Sequence, residues 1–491
     1  MRRQSYMISK YVKEQKRYTQ SELCDLFECN DEKAVPIIRK LKEFNVLKAV
    51  KATDIQREMS ELFDADIEVA NVEPGESEYL YVFTFVGVIV VAGRVLKCYP
   101  KYIFTNIGPK DDLRQILRVL EHYNSKEQIV RMFNDSSESK TFNLLAVLLF
   151  LLQDYYENGS YSNTEDIIES NGSGEILWEK TINETFTLLS DNKPYYIDLQ
   201  TKKRINDDYD YIKRLHECIL TKASKELSEA EVLDLFEITT VDLSDELLED
   251  FGEKDYILYR IDKELSTQFS TRKQLVLKTL YAYVDQSGSL YDTEALSLFG
   301  TNSFNLVWEK VCAEIMDNQL EVRLDALKLP VGLNKDKYNK NDKLIDLIEK
   351  PLWTVTGQRA RDTLIPDLVS IDSEDNRSFF VIFDAKYYVA KLDEDNPPKG
   401  QPGIESVTKQ YLYQLAYQRF IQDHSFDGVY NCFLLPTEEL EVVDKGEVTL
   451  HMLEQLGLQD IKVRLLPAKK AYEHYLSGNR FDINSLKLGN N

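Results

Sequence analysis

Two aspartates and a lysine in the last third of the chain have the types and spacing needed to hydrolyse a phosphodiester with a divalent metal ion. Asp367 stands at the head of one apolar run, and Asp384 and Lys386 end another. Residues two apart in a strand face the same side, so Asp384 and Lys386 are expected to share a face. The carboxylates could hold Mg²⁺, which neutralises the phosphate and lowers the pKa of a bound water, and Lys386 could orient that water.

The interval between the two aspartates supports this interpretation. Asp384 follows Asp367 by 17 residues, which leaves room for a hairpin that joins strands predicted at Leu364–Ile371 and Phe379–Tyr388. The alternative is a surface aspartate and an ordinary Asp–Lys pair at a strand edge, which would contribute little to stability. The strand context of both halves favours the hydrolytic interpretation.

A helix predicted at Leu306–Met316 supplies a third candidate acid, Glu309. It precedes the strands, and we predict that it is a further metal ligand. Glu314, five residues on, is on another helical face. The alternative is that Glu309 is a solvated helix charge, which is common on exposed helices.

A helix predicted from Ile404 to Gln422 supplies two candidate amides. Gln410, Gln414 and Tyr417 lie at i, i+4 and i+7 and so form one face. A polar side chain there could hold the water or a DNA phosphate, and we assign Gln414 to the catalytic set. The residues do not distinguish Gln414 from Gln410, and the alternative is a polar face that only meets solvent.

The first 60 residues are predicted to form a winged helix. Helical patterns at Ile8–Gln15, from Thr19 onward, and at Glu32–Phe44 are followed by a strand at Val46–Lys51. Thr19 and the glutamate three residues later form a capping box. Three helices and a strand in this length are typical of a winged helix-turn-helix.

Three basic residues on the third of these helices, Arg39, Lys40 and Lys42, are candidate DNA contacts. Residues 1–60 carry 13 Lys and Arg against 9 Asp and Glu, in a chain whose net charge is −23. The alternative is a protein-docking module, because Asp31 and Glu43 dilute the basic face. The two interpretations stay open.

The region between the two ends is predicted to begin with a β hairpin and continue mainly as helices. The hairpin pairs Tyr79–Val91 with Val95–Tyr99. Residues 110–265 are mostly helical in pattern. Glu226–Asp255 holds twelve acids and one lysine, which indicates a solvated face or a surface for a basic protein.

Composition excludes several classes of protein. A net charge of −23 over 491 residues argues against a uniformly basic, histone-like protein. The longest apolar run, Leu144–Leu152, is far shorter than the roughly 20 residues of a membrane span. No secretory signal is recognisable at the N-terminus, so we expect a cytoplasmic protein whose six scattered cysteines are free thiols. No Walker A loop or HExxH motif occurs.

Several segments resemble the nuclease subunit of McrC-type restriction systems, and most closely LlaJI-like restriction endonucleases. They are Phe379–Tyr388 (FFVIFDAKYY), Tyr413–Tyr417, Val86–Val90 with Gly93-Arg94, Tyr99-Pro100-Lys101-Tyr102, Trp308-Glu309-Lys310 and Ile365-Pro366-Asp367. The last of these, with Asp384-Ala385-Lys386, also matches the pattern of the PD-(D/E)XK nuclease superfamily.

The resemblance implies specific roles and a partner. Asp367 and Asp384 would be metal ligands and Lys386 the catalytic lysine. Such subunits dock on a separate McrB-like AAA+ GTPase ring. The missing Walker A loop agrees with this, because the nucleotide would be bound by the partner and not by this chain. The N-terminal winged helix departs from the simpler McrC subunits.

The sequence therefore predicts an α+β multidomain protein that cuts double-stranded DNA with Mg²⁺ in a restriction or anti-phage system. Its expected domains are a winged helix (1–60), a small β domain (61–108), a mainly helical middle (109–299) and a PD-(D/E)XK α/β nuclease core (300–491). One such site cuts one strand, so a double-strand break needs a second copy. The alternatives are a non-cleaving DNA-binding or regulatory adaptor of an AAA+ partner, and a RecB-like repair exonuclease.

Overall fold

A computed structural model describes most of the chain. The described residues are 7–51, 67–68, 79–104, 109–125, 133–135, 140–162, 165–172, 174–190, 193–205, 211–286, 289–291, 296–374, 377–392 and 397–489. They form a mixed α/β structure that divides into two units. One unit is built mainly from Thr141–Ser297, and the other mainly from Met7–Ile129 and Leu298–Asn491. The division into four domains stays a prediction.

Helices occur along the whole described chain. The α-helices are Gln20–Phe27, Asp31–Glu43, Lys110–Ser125, Leu144–Asn158, Trp178–Glu184, Tyr211–Glu229, Lys254–Thr267, Thr271–Gln286, Phe304–Ile315, Ile404–Asp423 and Ala468–Ser477. None of them, within the residues that the structure describes, has both the length and the apolar character needed to cross a membrane.

Strands occur in both units. They are Ile8–Lys13, Arg17–Tyr18, Leu47–Lys51, Ile67–Glu68, Tyr79–Phe83, Val86–Val91, Arg94–Tyr99, Phe133–Asp135, Lys140–Phe142, Glu165–Ser170, Glu175–Ile176, Thr187–Ser190, Lys193–Tyr196, Gln200–Ile205, Leu296–Thr301, Leu352–Trp353, Gln358–Arg359, Leu368–Glu374, Arg377–Ala385, Gly428–Thr437, Val443–Val448 and Ile461–Pro467.

The first helix predicted from the sequence is wrong. Ile8–Lys13 is a strand that pairs in parallel with Arg94–Tyr99. A six-residue segment has little helical stability of its own, so pairing with a distant strand overrides its weak local pattern. Of the three helices expected in a winged helix, the described residues contain the second and third.

The second predicted helix, Gln20–Phe27, is confirmed together with its cap. The Thr19 hydroxyl accepts a hydrogen bond from the Glu22 backbone N–H at 3.2 Å. The Glu22 carboxylate accepts from the Thr19 backbone N–H at 2.7 Å. This reciprocal pair satisfies two backbone donors that would otherwise be unpaired at the helix start.

The predicted hairpin is confirmed for Val86–Val91 and Arg94–Tyr99, which pair antiparallel across Ala92-Gly93. Tyr79–Phe83 instead belongs to a separate four-stranded sheet. Val86–Val91 also lies beside Leu296–Thr301. There Gly87 and Gly300 approach so closely that a Cβ on Gly87 would stand 2.1 Å from the Phe299 carbonyl oxygen.

The middle region contains more β-structure than predicted. Glu165–Ser170 and Gln200–Ile205 pair antiparallel, and Thr187–Ser190 pairs with Lys193–Tyr196. These four strands are short and most of their residues are polar, so none of them shows the long apolar alternation that would have predicted it from the sequence. The helices Leu144–Asn158 and Tyr211–Glu229 are present as expected.

A five-stranded sheet near the C-terminal end carries the predicted site; we call it the C-terminal sheet. Its order is Leu368–Glu374, Arg377–Ala385, Gly428–Thr437, Ile461–Pro467 and Val443–Val448. The outer pairs are antiparallel and the two inner pairs are parallel. Helix Ile404–Asp423 packs on this sheet through Tyr417, whose ring centroid is 5.2 Å from that of Phe380.

Candidate active site

The two predicted aspartates meet at one end of the C-terminal sheet. In the antiparallel pair at its edge, Leu368 lies opposite Phe383. The same register, extended by one residue, places Asp367 opposite Asp384. The Ala385 backbone N–H donates to Oδ2 of Asp367 at 2.9 Å and holds that side chain across the strands.

Lys386 lies between the two carboxylates. Its Nζ is 2.5 Å from Oδ1 of Asp384 and 3.8 Å from Oδ2 of Asp367. Its backbone N–H donates to the Leu434 carbonyl at 3.0 Å, which continues the parallel pairing past the end of the strand. Burial opposes the ammonium charge, but the carboxylates outweigh it and raise the pKa of Lys386 above its ordinary value. The lysine is therefore charged at neutral pH.

The Asp384 carboxyl is buried without full compensation. It is 3% exposed. Burial raises the pKa of Asp384 to about 8, the hydrogen bond and repulsion from Asp367 add to the rise, and Lys386 opposes it. The partner of Oδ1 of Asp384 is the Lys386 ammonium, and no further donor reaches that oxygen among the described residues.

These features fit a divalent cation. Two neighbouring carboxylates, one of them buried with a lysine ammonium as the partner of its Oδ1, offer what Mg²⁺ takes from proteins, which is one or two carboxylates with water and phosphate completing the shell. Within the described part of the chain, no three Asp, Glu, His or Cys side chains converge closely enough to hold a metal ion by themselves. The structure therefore brings two predicted ligands together and does not complete a set of three with Glu309.

Glu309 nevertheless interacts electrostatically with Asp367 and Lys386. Its helix is anchored by the buried Trp308, whose Nε1 donates at 3.2 Å to the Leu434 carbonyl, the group that also accepts from Lys386. Burial raises the pKa of Glu309, repulsion from Asp367 adds to the rise, and attraction to Lys386 opposes it. Its role as a metal ligand stays a prediction.

The two glutamines on helix Ile404–Asp423 have different partners. Gln410 is fully buried, and its Nε2 donates at 2.8 Å to the carbonyl of Ile382, on the strand that carries Asp384. Oε1 of Gln414 instead accepts from Nδ2 of Asn431 at 2.7 Å and from the Gln459 backbone N–H at 2.9 Å. Gln410 therefore contacts the strand that carries Asp384, and the catalytic role assigned to Gln414 stays a prediction.

A known protein family matches most of this chain in sequence. A sequence model of the LlaJI restriction endonuclease family matches residues 85–466. The chain belongs to the LlaJI restriction endonuclease family. The predicted kinship with restriction endonuclease subunits is thereby confirmed.

One curated relative of this LlaJI-family chain is the type II restriction enzyme BsuMI component YdjA of Bacillus subtilis (strain 168). It is 25% identical over 417 residues, which cover 82% of this chain and 83% of that protein. A solved half-complex of Thermococcus gammatolerans McrB AAA+ hexamers with bound McrC covers 96% of this chain and 99% of its own, at 13% identity and a TM-score of 0.37. A cryo-EM structure of the McrBC complex of that organism covers 56% and 79%, at 11% identity and a TM-score of 0.22. Scores this low do not establish a shared fold.

Tyr413 lies beside the candidate site, and the sequence pattern had not assigned it a role. Its hydroxyl donates at 3.0 Å to the carbonyl of Ile365, two residues before Asp367. Burial raises the pKa of Tyr413 to about 12, and the carboxylates of Asp384 and Asp367 add to the rise. The signal was available, because Tyr413 follows Gln410 by three residues and so shares its helical face.

The predicted DNA contacts lie on helix Asp31–Glu43. Arg39 is exposed, and Lys40 and Lys42 are half-buried. The buried residues of that helix include Ile38 and Leu41, which places the basic side chains on its outer part. Contact of these three residues with DNA stays a prediction.

A second buried carboxylate lies just beyond Lys386. Oε2 of Glu14 accepts a hydrogen bond from the Tyr387 hydroxyl at 2.5 Å and from the Lys101 backbone N–H at 3.1 Å. The Lys101 ammonium donates to Oε1 of Gln15 at 3.1 Å and lies 4.8 Å from the Tyr387 ring centroid. We call Glu14, Lys101 and Tyr387 the buried triad; it joins the N-terminal strands to the residue that follows Lys386.

Proposed function

We propose that this chain is the DNA-cleaving subunit of a restriction system, with a PD-(D/E)XK nuclease core that uses Mg²⁺. One observation carries the proposal: Asp367 and Asp384 lie opposite each other with the Lys386 ammonium 3.8 and 2.5 Å from their carboxylate oxygens. Membership of the LlaJI family supports it.

The residues of the site have separate tasks in this mechanism. Asp367 and Asp384 would hold the ion, which when bound neutralises phosphate charge and acidifies a water. Lys386, charged and fixed at the sheet edge, orients the attacking water and offsets the charge that builds on the phosphorus oxygens. Tyr413, through the Ile365 carbonyl, holds the segment that leads to Asp367.

We also propose double-stranded DNA as substrate and a separate McrB-like AAA+ GTPase as partner. The Bacillus relative is described as a component of a restriction enzyme, which supports an assembly of more than one chain. A net charge of −23 supports DNA affinity that is supplied partly by a partner. Because one site cuts one strand, a double-strand break requires two copies of the chain.

The test is cleavage of a circular plasmid by the chain with its GTPase partner, GTP and Mg²⁺. Asp384→Ala and Lys386→Ala are expected to lose cleavage, whereas Asp262→Ala and Lys278→Ala, at exposed helix positions, are matched controls that retain it. Undiminished cutting by both site variants would refute the proposal.

Two other outcomes identify the alternatives. A wild-type chain that stimulates GTP hydrolysis and binds DNA, but does not cut DNA with any divalent metal, is a regulatory adaptor. Cleavage of linear DNA alone, with circular plasmid left intact, indicates an end-dependent exonuclease.

A further inference from the structure

A short hairpin projects from the chain just before the first catalytic aspartate. Leu352–Trp353 pairs antiparallel with Gln358–Arg359, and the Gly357 backbone N–H closes the turn on the Trp353 carbonyl at 2.9 Å. At its mouth the Ala360 backbone N–H donates to the Pro351 carbonyl at 2.7 Å. We call residues 350–361 the arm.

The arm exposes apolar side chains of a kind that soluble proteins usually bury. Every residue from Lys350 to Arg359 is exposed. Leu352 is 56%, Trp353 65% and Val355 99% exposed. Contiguous apolar side chains rimmed by polar ones mark a surface that binds something.

The charge of the arm indicates what that is. Residues 350–361 contain three cations, Lys350, Arg359 and Arg361, and no acid, in a chain whose net charge is −23. Nη1 of Arg359 donates to the Lys350 carbonyl at 3.0 Å, which holds two of these cations at the base of the hairpin. Cations flanking an apolar tip are complementary to a polyanion with grooves and stacked bases.

The arm is also continuous with the proposed active site. Arg361 precedes Asp367 by six residues, so their Cα atoms lie within about 22 Å of each other. The intervening segment is held at Ile365, whose carbonyl accepts from the Tyr413 hydroxyl at 3.0 Å. A duplex held at the two aspartates would therefore pass within reach of the arm.

We propose that the arm is a DNA-binding element in which Lys350, Arg359 and Arg361 contact phosphates and Trp353 and Val355 enter a groove of the duplex. This inference rests on the proposed function, because it deepens the account of how the same site holds its substrate. Apolar wedges of this kind partly unstack a base step and bend the duplex, which would present the scissile phosphate to the acids.

The test measures binding of a fluorescein-labelled duplex by anisotropy, in an Asp384→Asn background so that cleavage plays no part. The variant Lys350→Gln/Arg359→Gln/Arg361→Gln is expected to lower the slope of log affinity against log salt by about 2 to 3, because each lost phosphate contact removes about 0.9. Trp353→Ala with Val355→Ser is expected to weaken binding about tenfold with little change in that slope. Lys278→Gln is the matched control, an exposed lysine on helix Thr271–Gln286.

The outcomes separate the arm from the proposed function. Arm variants that bind duplex with wild-type affinity and salt slope would overturn the inference, even if the wild-type chain cuts DNA. Normal DNA binding with lost self-association or lost GTPase stimulation would also overturn it and assign the arm to a protein partner. If the arm variants lose DNA binding and the wild-type chain never cuts, the arm is still a DNA-binding element, but the proposed nuclease function is refuted.

Discussion

Two buried carboxylates beside lysines have opposite environments in this protein. Glu14 accepts hydrogen bonds from the Tyr387 hydroxyl and the Lys101 backbone N–H. The positive charge of Lys101 also favours its ionised form. Oδ1 of Asp384 has one partner, the Lys386 ammonium, and no further donor reaches it among the described residues. The pKa of both carboxyls is raised, in each case first by burial.

The difference separates a structural group from a reactive one. A buried carboxylate that accepts hydrogen bonds from groups on two other segments fixes the position of those segments. One that is buried beside a second carboxylate, with one ammonium for the two acids, is stabilised further by a cation or a proton. Glu14 therefore holds the chain beside Lys386, and Asp384 is available for chemistry.

The largest expected effect is on cleavage. Asp384→Asn should lower the cleavage rate about a thousand-fold, because it removes a ligand worth several kcal/mol of transition-state stabilisation. Glu14→Gln, which keeps an oxygen for Tyr387 and Lys101, should stay within about tenfold of wild type. Plasmid-cleavage rates measure both, and equal losses in the two variants would erase the distinction between the carboxyls.

The next effect is on stability. Glu14→Ala should lower the free energy of unfolding by about 3 kcal/mol, because the buried Tyr387 hydroxyl and Lys101 backbone N–H would both lose their acceptor. Asp384→Ala should cost less, since it also removes a repulsion with Asp367. Urea denaturation of the metal-free variants gives both values, and the reverse order would contradict the assignment of Glu14 as the structural group.

A smaller effect depends on pH and metal. The folded pKa of Asp384, about 8, exceeds its ordinary value of 3.8, so the folded chain keeps a proton that the unfolded chain has released. The stabilising contribution of this proton is complete below the ordinary value and is lost as the pH rises towards 8.

Because Mg²⁺ must displace that proton, the rise in melting temperature on adding Mg²⁺ should grow between pH 6 and 8. Thermal melts at several pH values, with and without Mg²⁺, measure it. Asp384→Asn should show neither the pH dependence nor the Mg²⁺ effect, and a metal shift that persists in that variant would place the ion elsewhere.

The smallest effect is expected from Tyr387→Phe. Losing one hydroxyl donor to Glu14 should lower the free energy of unfolding by about 1 to 2 kcal/mol. Cleavage should fall only a few-fold, because Lys386 is still held by its backbone bond to Leu434. Denaturation and cleavage assays on the same preparation test this, and a loss as large as that of Lys386→Ala would make Tyr387 part of the reaction.

Local patterns predicted the elements that carry the site. The strands around Asp367 and Asp384, the helix beginning at Ile404 and the Thr19 cap all follow from residues within a few positions of each other. The length of the gap between the aspartates suffices for one hairpin, so their meeting follows from short-range geometry. Residues 375 and 376, between the two strands, lie outside the described residues.

Other features depended on contacts between residues far apart in the chain. Ile8–Lys13 is a strand only because Arg94–Tyr99 lies beside it. Gln410 and Gln414 lie on one helical face but bond to different strands, and which of them serves the site stays a prediction.

By itself, the sequence determined that two acids and a lysine share one sheet edge, because strand periodicity and a short connection allow few other arrangements. Only the tertiary structure decided that Glu14 meets Tyr387 and that Asp384 is buried without a full set of donors. Burial and hydrogen-bond partners are properties of packing between distant segments, and no local pattern encodes them.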